Sequence, residues 1–209
     1  QTINQLDENG KQHGPWKKNF DGTNILRFEG EFNHGKEVGL FKFYQNINNK
    51  AVLAATREFL QPGTKANVKF FASTGKLISE GQMDGKTYIG EWKYYQKDSD
   101  KLLILENFDD KGNLTGERNI YYNSGQISQK DSYKNGKRDG VSILYSEDNV
   151  VIQEYTYVKG LLHGISRIYD ITGELVTEGF YNNDQKSGIW KYYESGKLID
   201  EKNFTPNSN

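Results

Sequence analysis

Residues 182–201 read NNDQKSGIWKYYESGKLIDE. A loop ending at Gly188 leads into a short aromatic run, Trp190-Lys191-Tyr192-Tyr193. Ser195-Gly196 then marks a tight turn, and a second short run continues from Leu198 to Glu201. Two extended runs joined by a glycine-containing turn form a β-hairpin signal. The same signal recurs upstream. One aromatic column, Phe20, Tyr44, Phe71, Tyr95, Tyr122, Tyr145, Tyr169 and Tyr193, crosses the chain at spacings of 23 to 27 residues. Five or six residues before most of its members stands a glycine: Gly14, Gly39, Gly90, Gly116, Gly140, Gly164 and Gly188, with Ala66 in the third unit. Eight units with a shared anchor define a repeat array.

Each unit opens with a run rich in aromatic and β-branched residues, such as Leu40-Phe41-Lys42-Phe43-Tyr44, and closes with a run carrying a Leu or Ile and then an acidic residue. Between the two runs, Gly22, Gly75, Gly125, Gly173 and Gly196 supply the positive φ of short hairpin loops. Length varies in the loops, at residues 46–50 and 96–101 and in a Pro62-Gly63 turn. No helical period persists. The expected fold is all-β: an elongated, single-layer antiparallel meander of eight hairpins over residues 9–204. A lead-in at 1–8 and a frayed tail at 205–209 flank it.

The 209 residues carry a formal net charge of −1, so no long-range field favours nucleic acid or an anionic membrane. Hydrophobic residues are 34% and aromatics 13%, a balance suited to a thin structure with half-buried rings. Cysteine is absent, which excludes disulfides and thiolate chemistry within the chain. No run approaches the length of a transmembrane helix. The chain opens at Gln1, as one cut behind a signal peptide would, and a periplasmic or extracellular location is expected.

The pattern G-x-W-K-x-Y-x-x-x-G-x-L-x-x-E-x-x-Y-x-x-G-K is plainest at residues 90–106, 164–181 and 188–201. It resembles the bacterial variant of the MORN repeat, found in proteins labelled YwqK-type and antitoxin-like. The resemblance spans residues 9–204. It implies hairpins paired edge to edge and a binding scaffold, and it does not specify a ligand.

Three groups of residues are candidates for chemistry. The acidic column Glu29, Glu58, Glu80, Glu106, Glu154, Glu178 and Glu201 places successive carboxylates about 10 Å apart along a sheet, too far to converge on calcium. Paired with Lys18, Lys42, Lys69, Lys93, Arg167 and Lys191, it reads as a screening ladder. His13 and His163 share a repeat position and read as loop residues. No nucleophile elbow or phosphate loop is present, so no enzyme, metal or cofactor is expected.

The aromatic column, with its glycines, reads as structural. The alternate rings Phe41, Phe43, Phe70, Trp92, Tyr94, Trp190 and Tyr192 are expected to face a partner, because a single layer leaves part of this surface in water. That partner is expected to be a protein. A glycan or envelope component is the alternative, and a cytoplasmic toxin, with the chain as its antitoxin, is another. Homodimerisation through an edge or face is compatible with the design.

Overall fold

The computed structural model describes residues 2–59 and 63–205; Gln1, Pro62 of the expected turn, and residues 206–209 of the expected tail lie outside the described residues. The described chain is all-β, with 17 strands in an open antiparallel meander and no helix. It divides into two compact units.

The first unit, Gln1–Asp100 with Asp110–Gly112, contains β1 (Gln5–Leu6), β2 (Gln12–Asn19), β3 (Leu26–Asn33) and β4 (Lys36–Ile47). It continues through β5 (Lys50–Phe59), β6 (Lys65–Phe71), β7 (Leu77–Asp84) and β8 (Thr87–Tyr95). Each strand pairs with the next in sequence. The second unit, Lys101–Asp109 with Asn113–Asn209, contains β9 (Leu102–Phe108), β10 (Gly116–Tyr121), β11 (Ile127–Lys134), β12 (Lys137–Tyr145) and β13 (Val151–Val158). It ends with β14 (Leu161–Tyr169), β15 (Leu175–Asn182), β16 (Gln185–Glu194) and β17 (Lys197–Asn203), again paired in sequence order.

The glycine column marks a bulge. Glu80 pairs with Lys93 and Gln82 with Ile89, so Gly81 alone opposes three residues of β8, among them Gly90 at φ 66°. Positive φ costs a side-chain-bearing residue roughly 1–2 kcal/mol, which explains glycine there. Ala66 provides the internal control. Where it replaces the glycine, the β5–β6 ladder runs from Ala55↔Phe70 to Glu58↔Asn67 without a register shift.

Pairing sorts each unit into two faces. Face A of the first unit holds Trp16, Gly30, Phe41, Arg57, Val68, Gly81 and Trp92 in one row. Face B of the same unit holds Lys17, Glu29, Lys42, Thr56, Lys69, Glu80 and Lys93. In the second unit the corresponding face A row is Glu106, Arg118, Asp131, Ser142, Tyr155, Ser166, Gly179 and Trp190. Its face B row includes Lys130, Ile143, Glu154, Arg167, Glu178, Lys191 and Glu201.

Candidate functional site

Face A of the first unit is built from rings laid on glycines. A Cβ added at Gly30 would come far inside contact distance of the ring of Phe41, and one added at Gly81 equally close to that of Trp92. The absent side chain on one strand is the bed for the ring on the next. Trp92 is fully buried and donates its indole N–H to the Gln82 carbonyl at 2.9 Å. Phe41 is fully buried and stands edge-on to Phe32 and Phe59, at 5.1 and 5.9 Å between centroids. The second unit has one such lock. Trp190 lies on Gly179, donates to the Phe180 carbonyl at 3.2 Å, and is capped by the Lys186 ammonium 3.9 Å above its ring.

Burial corrects part of the expected partner surface. Phe41, Trp92 and Trp190 are at most 2% exposed, so none of them presents an open ring. The bulge, with a glycine opposite, gives each a cavity that a flat single layer lacks.

Four other rings stay half-buried. Phe43, Phe70 and Tyr94 lie at one registered position across the first unit, in the row Phe28↔Phe43↔Ala55↔Phe70↔Ser79↔Tyr94. Small Ala55 and Ser79 alternate with the rings. Phe28 and Phe43 are 6.3 Å apart, and Tyr94 lies 6.2 Å from Trp92 on the same strand. Tyr192, the remaining candidate, sits in the second unit with the ammonium groups of Lys202 and Lys186 at 5.4 and 6.0 Å from its ring.

Elsewhere in its face A row, the second unit replaces ring and glycine by polar pairs. Asp131 is fully buried. It accepts from Ser142 Oγ at 2.6 Å, from Gln129 Nε2 at 3.0 and 3.2 Å, and from the Arg138 guanidinium at 3.3 Å. Arg138 also lies over the Tyr157 ring at 5.3 Å. Arg118 pairs with Glu106 at 3.0 Å. Tyr155, opposite the small Ser166, has its phenol pKa raised by burial. The sequence alone does not display this buried network: Lys130-Asp131 merely stands where the acidic column lacks a Glu. The signal was parity. Lys130 keeps the ladder position, and Asp131 occupies the place held elsewhere by Gly30, Gly81 and Gly179.

On face B the charge ladder takes a more specific form than mutual screening. Tyr44 donates to Glu29 at 2.7 Å, Tyr95 to Glu80 at 2.5 Å, Tyr193 to Glu178 at 3.0 Å and Tyr169 to Glu154 at 3.5 Å. Four members of the aromatic column therefore tie neighbouring hairpins through phenol–carboxylate bonds, while Tyr122 donates to the Tyr145 carbonyl at 2.7 Å. Those bonds are the leading cause holding Glu29 and Glu80 below the usual carboxylate range. Burial, reinforced by the same carboxylates, pushes Tyr44 and Tyr95 up to about 12.

Three column assignments shift. Lys17, not Lys18, joins the ladder; Thr56 takes the place expected for Glu58; and Glu106 turns to face A. Two open depressions of about 360 and 340 Å³ follow this ladder, one lined by Lys17, Glu29 and Lys42, the other by Lys69, Glu80 and Lys93.

The histidines serve a turn. His13 and His34 have ring centroids 4.6 Å apart, the His13 ring accepts the His34 backbone N–H at 3.4 Å, and His34 contacts Asp7 at 2.6 Å. Among the described residues, no group of three or more His, Asp or Glu is arranged to hold a metal.

Comparison with known proteins agrees with this hairpin geometry. No curated protein matches the chain. The family described as MORN repeat variant matches residues 114–135, a segment that contains β10 and β11, and this match supports reading the chain as a MORN-repeat protein.

Proposed function

We propose that the chain is a non-catalytic repeat scaffold that binds a protein partner through face A of its first unit. The observation that carries this reading is the row of half-buried rings Phe28, Phe43, Phe70 and Tyr94, held in register beside the buried Phe41 and Trp92. Pre-positioned aromatic side chains bind with little loss of rotamer freedom, and aromatics are enriched at interface centres. MORN repeats commonly serve as protein- or membrane-binding modules, in keeping with the match at 114–135.

Capture from cell fractions by the wild-type chain and by a Phe43→Ala/Phe70→Ala variant tests the reading. The variant should lose a protein that the wild type retains, with its melting temperature nearly unchanged. Equal retention by both would remove this face from the function.

A glycan is the second reading, favoured by one observation. Face A of the second unit interleaves Tyr155, Tyr157 and Tyr181 with Ser, Gln and Arg groups, and stacking surfaces among hydrogen-bonding groups suit sugars. Binding to an envelope polysaccharide that is lost in Tyr157→Ala would favour it. Recovery of the chain from the periplasm would exclude the cytoplasmic antitoxin role and fit the exported scaffold.

A further inference from the structure

Face B of the second unit carries two parallel rows that fit each other when the face is turned over. One row is apolar. Val141, Ile165, Phe180 and Ile189 lie on β12, β14, β15 and β16 and are 40–56% exposed. Thr156 on β13 completes it, paired with Val141 and bonded to the Ile165 carbonyl at 3.2 Å. The other row alternates in sign, strand by strand: Glu154, Arg167, Glu178 and Lys191 on β13 to β16. Arg167 is held 3.6 Å from both of its acidic neighbours, which fixes the order.

We propose that this face docks on the same face of a second copy, about a two-fold axis parallel to the strands and lying between β14 and β15. Such an axis keeps each row on itself and reverses strand order. Arg167 then meets the partner's Glu178, and Glu154 meets the partner's Lys191. In the apolar row, Ile165 meets the partner's Phe180 and Thr156 meets the partner's Ile189. A minus-plus-minus-plus row is its own complement under this operation, a property that contact with an unrelated protein does not require.

The match ends at β12, where Ile143 would meet the partner's Glu201, so the contact centres on four strands. Four strands about 4.8 Å apart and seven residues long present roughly 450 Å² per copy, or roughly 900 Å² in all, the size of a weak, transient interface. The dimer is therefore reversible, and it leaves face A of the first unit to the partner proposed above.

Sedimentation of the full chain tests this. The wild type should pass from monomer to dimer with rising concentration, and Ile165→Asp should remain monomeric while retaining its β circular-dichroism spectrum. The pairing is tested by charge exchange. Lys191→Glu and Glu154→Lys each place like charges at both symmetry-related contacts, so each alone should stay monomeric. Mixed, they place opposite charges at both contacts and should form a one-to-one heterodimer. A wild type that stays monomeric at millimolar concentration would overturn the proposal. So would folded variants that each still dimerise, or that fail to combine.

Discussion

The two units solve the same packing problem with opposite materials. In the first, Gly81 receives Trp92 and Gly30 receives Phe41; in the second, Asp131 receives Ser142 and Tyr155 receives Ser166. A large side chain faces a vanishing one, or two of moderate size share the space. In each case the facing side chains divide one space across the strand pair, as interior packing density requires. Polarity is free to change. Face B changes in the reverse sense. Beside its ladder the first unit places Glu31, Glu58 and Asn67 with the exposed Leu40 among them, where the second places Val141, Ile165 and Phe180. Each unit thus has one apolar face, and it is not the same one.

The largest expected effect breaks the ring-on-glycine half of this comparison. Trp92→Ala and Trp190→Ala should each cost about 3–5 kcal/mol, because a rigid cradle cannot collapse around the space left. Denaturant unfolding checks this, and a loss below about 1 kcal/mol would show that the rings are not core.

Next, Asp131→Ala should cost about 2–3 kcal/mol by leaving Ser142, Gln129 and Arg138 without their acceptor. Asp131→Asn, which keeps an acceptor oxygen, should lose less in the same measurement. An equal loss would mean that the charge, and not the hydrogen-bonded shape, holds the network.

Volume matching predicts a sharper contrast. Gly179→Ala should cost about 1–3 kcal/mol through the Trp190 ring, while Ser166→Ala, which adds no volume opposite Tyr155, should fall well below that. Similar losses at the two sites would refute the shared-volume account.

The smallest effects are those of pH. Burial, with the neighbouring carboxylates, pushes the Tyr44 and Tyr95 phenols up to about 12 in the native chain, against about 10 when unfolded. Their contribution is full below pH 10 and is lost as pH rises towards 12. Glu29 and Glu80 are held low, so their contribution is full above the ordinary carboxylate range and is lost as pH falls through their depressed values. All four groups are half-buried and still reached by solvent, so the change in melting temperature should be shallow. The Tyr44→Phe/Tyr95→Phe variant should flatten both limbs. Tyr169→Phe should change little, since its phenol lies 3.5 Å from Glu154.

The hairpins and the sidedness of Trp190 and Lys191 were legible in the sequence because strand parity and turn chemistry are local, whereas Gly188, expected to end a loop, lies at a bulge inside β16. The burial of Phe41, Trp92 and Trp190 was not. It depends on the residue met across the ladder, and a register shift such as that between Glu80 and Gln82 changes which residue that is. Once the shift is known, glycine two places before a ring column becomes informative. Asp131 was hidden for the same reason: adjacency to Lys130 in sequence conceals that the two point to opposite faces.

The ring-on-glycine lock also bears on how such a chain can gain or lose repeats. Each lock is shared between the second strand of one hairpin and the first strand of the next, so a hairpin is not a self-contained cassette. Excising β12 and β13 would bring Asp131 against Ser166, the kind of partner it already has. Excising β14 and β15 would bring Tyr155 against Trp190, with no room for both. Duplication and deletion are therefore permitted at some seams and barred at others, and the inheritance of repeat number is constrained by side-chain volume as well as by sequence similarity.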